Sequence, residues 1–187
     1  VFALPVLAVL LGYSFAKRFT SLAHFWLGLA LALAPCCAWI AIRGNEVIAN
    51  PLDIAPAAVL GLAVMFWVAG FDMIYACQDY EYDKQSNLKS IPVLLGVKSA
   101  LRLAAVCHAI MAGLLIFLPL LGRWVGPSLG LGWIYGVAVA GIALLLVYEH
   151  SLVRPDDLSR INAAFFNVNA IVSIGLFLFA TVDLLVA

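Results

Sequence analysis

Charge is what this sequence is shortest of. Of its 187 residues only 11% are Asp, Glu, Lys or Arg, against roughly a quarter in a soluble domain. So few ionised groups cannot coat a water-facing surface of this size, and lipid must be the outer solvent for much of the chain. Ten basic and ten acidic side chains cancel, which leaves no cationic excess for a nucleic-acid partner. Cys36, Cys37, Cys77 and Cys107 include no C-x-x-C pair and sit in or beside apolar runs, where cysteine acts as a small, reduced hydrophobe. His24, His108 and His150 are scattered without metal-ligand spacing, and no role is assigned to them. There is no internal repeat, low-complexity stretch or soluble domain.

What the chain has in quantity is apolar sequence, 66% of all residues with a mean hydropathy of +1.11. A helix crossing a bilayer needs about 20 apolar residues. Five runs supply them: Leu22–Ile42, closed by Arg43; Ile54–Cys77, interrupted by Asp72; Leu103–Leu121; Leu131–Tyr148; and Ile161–Ala187. Ahead of these, Val1–Leu11 is apolar but about half a span long. It follows no initiator Met and no basic segment, so it reads as the remainder of a helix and not as a signal peptide. The expected fold is all-α, a polytopic transmembrane helical bundle of five full spans plus a partial N-terminal helix. Residues 1–187 then form one domain, truncated at its N-terminus. Gly28-x-x-x-Ala32 and Gly130-x-Gly132 are small-residue spacings of the kind close helix packing in lipid favours.

The loops alternate in charge. Those holding Lys17 and Arg18, then Lys84, Lys89, Lys98 and Arg102, then Arg154 and Arg160, carry eight basic residues, whereas the two between them carry only Arg43 and Arg123. The positive-inside rule sets the first group in the cytoplasm.

Most of the polar chemistry lies on that side. In Gly70-Phe-Asp-Met-Ile-Tyr-Ala-Cys-Gln-Asp-Tyr-Glu-Tyr-Asp83 a span runs into its loop. At about 100° per residue, Asp79 falls about 20° from Asp72 and Asp83 about 40° from Asp79, so one continuous helix stacks three carboxylates on one face. Like charges repel there, a helix C-terminus disfavours acids, and an acid within a span is costly. A divalent cation relieves all three, and carboxylates with room for water and phosphate oxygens are how Mg²⁺ is held. In the first basic loop, Lys17 and Arg18 serve either as interfacial anchors or as a phosphate clamp. Asp156 and Asp157 after Pro155 read as helix N-cap and first-turn residues. Asn162, Asn169 and Ser173 form one stripe, expected to pair with neighbouring helices.

Asp72-x-x-Tyr-Ala-x-x-Asp79-x-x-x-Asp83, followed by Leu88-Lys-Ser-Ile-Pro-Val-Leu-Leu-Gly96, resembles the second aspartate-rich motif of the UbiA-type membrane prenyltransferases. Tyr13-x-x-x-Lys17 is similar to that family's Y-x-x-x-K motif, and Arg160-Ile-Asn-Ala-Ala-Phe-Phe-Asn-Val-Asn169 to the start of its last helix. The wording is closest to the 4-hydroxybenzoate polyprenyltransferases. The resemblance implies a helical bundle around a cavity open to lipid, transfer of a polyprenyl group from polyprenyl diphosphate to an aromatic acceptor in quinone biosynthesis, and Mg²⁺ on the diphosphate. It implies Asp79 and Asp83 as metal ligands with Asp72 behind them as a catalytic group, and Tyr13, Lys17 and Arg18 on the diphosphate. Tyr75 and Tyr80 are candidates for stabilising an allylic cation. The expected location is a bacterial inner membrane with the site facing the cytoplasm. The family's first aspartate-rich motif is not found in these residues, so the chain taken alone is expected to be inactive. Other acceptors within the family (dihydroxynaphthoate, haem, a chlorophyllide) are alternatives, as is a polytopic transporter. A transporter predicts acids near the bilayer midplane among broken helices, not at a span end beside basic residues.

Overall fold

The computed structural model describes residues 3–122 and 124–186, apart from the side chains of Ala163 and Ala164. Val1, Phe2, Ala187 and the loop residue Arg123 lie outside the described residues. Among those described there is no strand, and the order is α1 (Ala3–Gly12), a 3₁₀ segment (Tyr13–Arg18), α2 (Ala23–Ala49), a 3₁₀ turn (Pro51–Ile54), α3 (Ala55–Ala76), the short α4 (Tyr80–Gln85) and α5 (Ile91–Leu95), α6 (Val97–Leu121), α7 (Trp133–Leu152), a π segment (Ala163–Val168) and α8 (Asn169–Val186). Five stretches are long and apolar enough to cross a membrane: Ala23–Ala49, Pro51–Ala76, Val97–Leu121, Trp133–Leu152 and Phe165–Val186. The expected spans are all present, with shifted ends.

Each shift has a cause in polar chemistry. Arg43 does not close the first span, because α2 continues to Ala49 through a kink at Arg43 (φ −118°, ψ 28°). There the guanidinium forks onto Asp53, Nη2 to Oδ1 at 2.7 Å and Nε to Oδ2 at 2.9 Å, with Trp39 Nε1 also donating to Oδ2 at 2.9 Å. α6 starts at Val97, six residues before the expected Leu103, so Lys98 and Arg102 ride on its exposed face and not in a loop, where long basic side chains can snorkel to the interface. Gly130 and Gly132 precede α7 and do not lie within a span. Gly130 takes φ +66° in the loop, and the backbone N–H groups of Gly132 and Ile134 donate to Asp183 of α8, which caps α7 from outside.

The spanning helices pack in chain order, α2 on α3, α3 on α6, α6 on α7 and α7 on α8, and the π segment returns to touch α3. The first contact is close: Gly28 lies against the Met65 carbonyl, and a Cβ on Gly61 would sit 2.7 Å from the Ala32 carbonyl oxygen. The buried core is shared between two clusters, one around Met73, Ile74, Ala100 and Ile161, the other around Met111, Leu115, Ile142 and Val172. α8 and α2 do not pack on each other, and a space remains between them over α3.

Candidate functional site

Helix geometry breaks where the three acids were expected to align. α3 ends at Ala76, and the amides of Cys77, Gln78 and Asp79 donate to Ile74, Tyr75 and Ala76, a tight i→i−3 pattern. Three residues per turn shift the angular phase relative to an α-helix, and Asp79 stands at the turn before α4 begins. The three acids therefore do not ride on one continuous α-helix, and Asp72 and Asp83 have separate partners. Asp83 is buried (1% exposed) and pairs with Lys17 Nζ at 3.0 Å. Asp72 binds His24 Nδ1 at 2.6 Å. Asp79 is half-buried at the turn.

The 3₁₀ segment supplies the facing wall. At three residues per turn Ser14 and Lys17 lie one above the other, flanked by Tyr13 and Arg18, while Ala16 is fully buried on the other side. The second basic loop is clamped onto this segment: Lys89 N–H donates to the Lys17 carbonyl at 2.7 Å and Lys89 Nζ to the Phe19 carbonyl at 3.3 Å. Between these walls lies a cavity of about 450 Å³ lined by Tyr13, Ser14, Lys17, Arg18, Asp72, Tyr82 and Ser86 with Ala23, Leu27 and Leu88. Tyr13, Lys17, Arg18 and Asp72 thus share one space. Asp83 meets it through Lys17, and Asp79 is not among its lining residues.

A second, apolar cavity of about 530 Å³ follows in the same α2/α3 groove, lined by Leu31, Val68, Trp67, Phe71, Phe165 and Phe166 among others. Leu27 and Leu31, and likewise Asp72 and Val68, are one turn apart on a single helix face, so the two cavities stand end to end. Aromatic rings wall the second: Phe71 meets Phe165 with centroids 5.3 Å apart, and Tyr75, outside the lining, backs Phe165 at 4.5 Å. Tyr80 is not part of this wall, since its ring carries Lys84 Nζ at 5.7 Å. Of the polar stripe, Asn169 accepts from Trp67 Nε1 at 2.9 Å and donates to the Phe165 carbonyl at 2.7 Å. Ser173 bonds to its own helix, and Asn162 is exposed.

Asp157 is not a helix cap. It accepts from the amide and the hydroxyl of Ser159, four residues before helix resumes at Ile161. The Ser159 hydroxyl, then its amide, hold the Asp157 carboxyl below its ordinary pKa. The histidines do have partners. Beyond the His24–Asp72 contact, His108 Nδ1 lies 3.0 Å from His150 Nε2 and 3.4 Å from Glu149 Oε2. Spacing along the chain carried no sign of these pairs, although a histidine just inside an apolar span was itself a signal.

Among the described residues no group of three or more His, Cys, Asp or Glu side chains is placed to hold a metal ion. Mg²⁺ seldom requires a preformed cage, because it takes one or two carboxylates and completes its octahedron with phosphate oxygens and water. Asp79 and Asp83 are carboxylates of the type such an ion takes; Asp83 is paired with Lys17, and Asp79 stands outside the cavity lining.

The UbiA prenyltransferase family model matches residues 1–171. The 4-hydroxybenzoate octaprenyltransferase of Cupriavidus pinatubonensis is 33% identical over 165 residues, covering 88% of this chain and 53% of the relative. That of Methylobacillus flagellatus is 32% identical over 165 residues, covering 88% and 51%. A solved apo structure of a UbiA homolog from Aeropyrum pernix K1 matches with a TM-score of 0.79 at 32% identity, covering 96% of this chain and 62% of that one. The chain spans about half the length of the curated relatives it matches.

Proposed function

The chain belongs to the UbiA prenyltransferase family, and we propose that it binds a polyprenyl diphosphate along the α2/α3 groove for transfer of the prenyl group to an aromatic acceptor, 4-hydroxybenzoate. The observation that carries this reading is the end-to-end pair of cavities, one lined by Lys17, Arg18 and Tyr13, the other by aliphatic and aromatic side chains. An anionic head on a long apolar tail is the ligand such a pair fits. The acceptor follows the curated relatives, which are 4-hydroxybenzoate octaprenyltransferases.

In this reading Arg18 and Lys17 grip diphosphate oxygens, the first as a fork and the second as a point charge, with the Tyr13 hydroxyl beside them. Asp79 and Asp83 are the magnesium ligands, and the bound ion supplies positive charge to the departing diphosphate. As charge develops on the allylic carbon, the faces of Phe71, Tyr75 and Phe165 offer it π density. An electron-rich ring carbon of the acceptor forms the new bond as the bond to the diphosphate breaks, and the displaced ring proton passes to Asp72 or to the released diphosphate. The remaining metal ligands are proposed to come from the part of the relatives' length that this chain does not span, so the 187 residues alone are proposed to be inactive. The basic end is proposed to face the cytoplasm of a bacterial inner membrane.

Isotope-labelled polyprenyl diphosphate with 4-hydroxybenzoate and a panel of other aromatic acceptors tests the activity, in a protein that carries this chain together with the part of the family's length it does not span. Labelled prenyl product that depends on Mg²⁺ and is lost in Lys17→Ala supports the reading. Turnover indifferent to both Mg²⁺ and Lys17 overturns it. For orientation, single cysteines at Ser21 and Ser86 in a cysteine-free background should resist an impermeant thiol reagent in intact cells, and labelling of both reverses the assignment.

A further inference from the structure

His24 is fully buried in the first turn of α2, and both of its ring nitrogens are engaged. Nε2 lies 3.3 Å from the backbone nitrogen of Ile91, the first residue of α5. That nitrogen can only donate, so Nε2 must be the bare, accepting nitrogen of the ring. The neutral imidazole then carries its hydrogen on Nδ1, which points at Asp72 Oδ2 from 2.6 Å. Asp72 itself lines the polar cavity, with 26% of its side chain exposed. One of its oxygens is held by histidine, and the other is left for whatever occupies the cavity.

We propose that His24 is a positioning residue: a neutral, Nδ1-protonated imidazole that locks the Asp72 carboxylate and ties it to the start of α5. The direction of each bond carries the inference. A histidine acting as a proton carrier needs a nitrogen free to gain or lose a proton at the site, and here Nε2 is closed by an amide while Nδ1 is closed by the carboxylate. Its service is to remove the rotational freedom of Asp72, so that the second oxygen keeps one direction through the reaction. Asp72 sits on α3, His24 on α2 and Ile91 on α5, so this one side chain ties the two helices that wall the cavity to the start of α5.

The test reads the tautomer first, and turnover is not needed for it. Nitrogen NMR of the protein labelled with ¹⁵N-histidine in lipid nanodiscs should show His24 neutral at pH 7 with hydrogen on Nδ1. An imidazolium, or hydrogen on Nε2, overturns the proposal. Two variants then separate positioning from packing. His24→Asn places an amide N–H near the position of Nδ1 and should leave the Asp72 carboxyl ¹³C resonance close to its original shift, whereas His24→Leu should move it. Both should speed exchange of the Ile91 amide about tenfold or more, since both lose its acceptor. A carboxyl resonance indifferent to both substitutions overturns the proposal. In prenyl transfer, which rests on the function proposed above, His24→Leu should lower kcat about tenfold with KM for the diphosphate unchanged, and His24→Asn should recover most of it. Equal losses in the two variants overturn the positioning role. A protein without prenyl transfer but with hydrogen on Nδ1 sinks the proposed function and leaves this inference standing.

Discussion

At the end of the bundle where α2 begins and α3 finishes, charged side chains reach one another beside a space that a ligand can enter; at the opposite end they close on one another. Asp53, at the closed end, receives Arg43 Nε, Arg43 Nη2 and Trp39 Nε1, and Asp183 receives two backbone amides of α7. Lys17, at the open end, makes a single ion pair with Asp83 and keeps a third of its side chain exposed, while Asp83 keeps 2%. A carboxylate with both oxygens answered inside the protein is a fastener. A cation with one buried partner and an open side retains donors for something else. The difference separates structural charge from binding charge without reference to any motif.

The largest effect is expected where the open end is broken. Lys17→Met should reduce Mg²⁺-dependent prenyl transfer at least ~100-fold, as loss of a main electrostatic contact to a developing charge does. It should also cost about 2 kcal/mol in SDS-induced unfolding, because Asp83 is left buried without its cation while the exposure of Lys17 limits the loss. Adding Asp83→Asn should recover stability and leave activity low. Full activity in Lys17→Met would make the two ends equivalent and dissolve the comparison.

A smaller effect is expected at the closed end, confined to stability. Asp53→Ala strands the Arg43 guanidinium and the Trp39 N–H and should lower resistance to SDS-induced unfolding, by less than Lys17→Met because Arg43 is partly exposed. Turnover should stay within about twofold of the parent, and replacing both partners, Arg43→Met with Asp53→Leu, should regain most of the stability. A large fall in turnover would show that the closed end also reaches the chemistry.

The smallest effect belongs to the third basic loop, where Asp157 is held below its ordinary pKa by Ser159. A carboxylate with a lowered folded-state pKa contributes stability above its unfolded value, about pH 4, and loses that contribution as pH falls through the lowered folded-state value. Amide exchange at Ser159 should therefore be slower in the parent than in Asp157→Asn above about pH 4, and the two should converge on further acidification. Convergence already at neutral pH would mean the turn does not depend on the charge.

Much of the architecture was legible in the chain. Leu103–Leu121 lies wholly inside α6, and Leu131–Tyr148 lies inside α7 from Trp133 on, because an uninterrupted apolar run in a bilayer has no alternative to an internally bonded helix. The span ends were less legible. Arg43 reads as a stop until its partner ten residues on is known, and Lys98 and Arg102 read as loop residues until α6 is seen to begin ahead of them. The acidic segment shows the same limit more sharply. Even angular spacing assumed a helix through Asp83, whereas the chain tightens at Cys77, and Asp72 and Asp83 take different partners, His24 and Lys17.

By itself, then, the sequence determined the solvent, the helices and the set of polar residues available to a site, since hydropathy, helix length and residue type are properties of consecutive positions. Which polar groups meet was decided only by the tertiary structure. Lys17 finds Asp83 across 66 residues, His24 finds Asp72 across 48 and Ile91 across 67. A buried charge or a buried imidazole has to be answered by whatever group packing brings within about 3 Å, and no local pattern records which group that is.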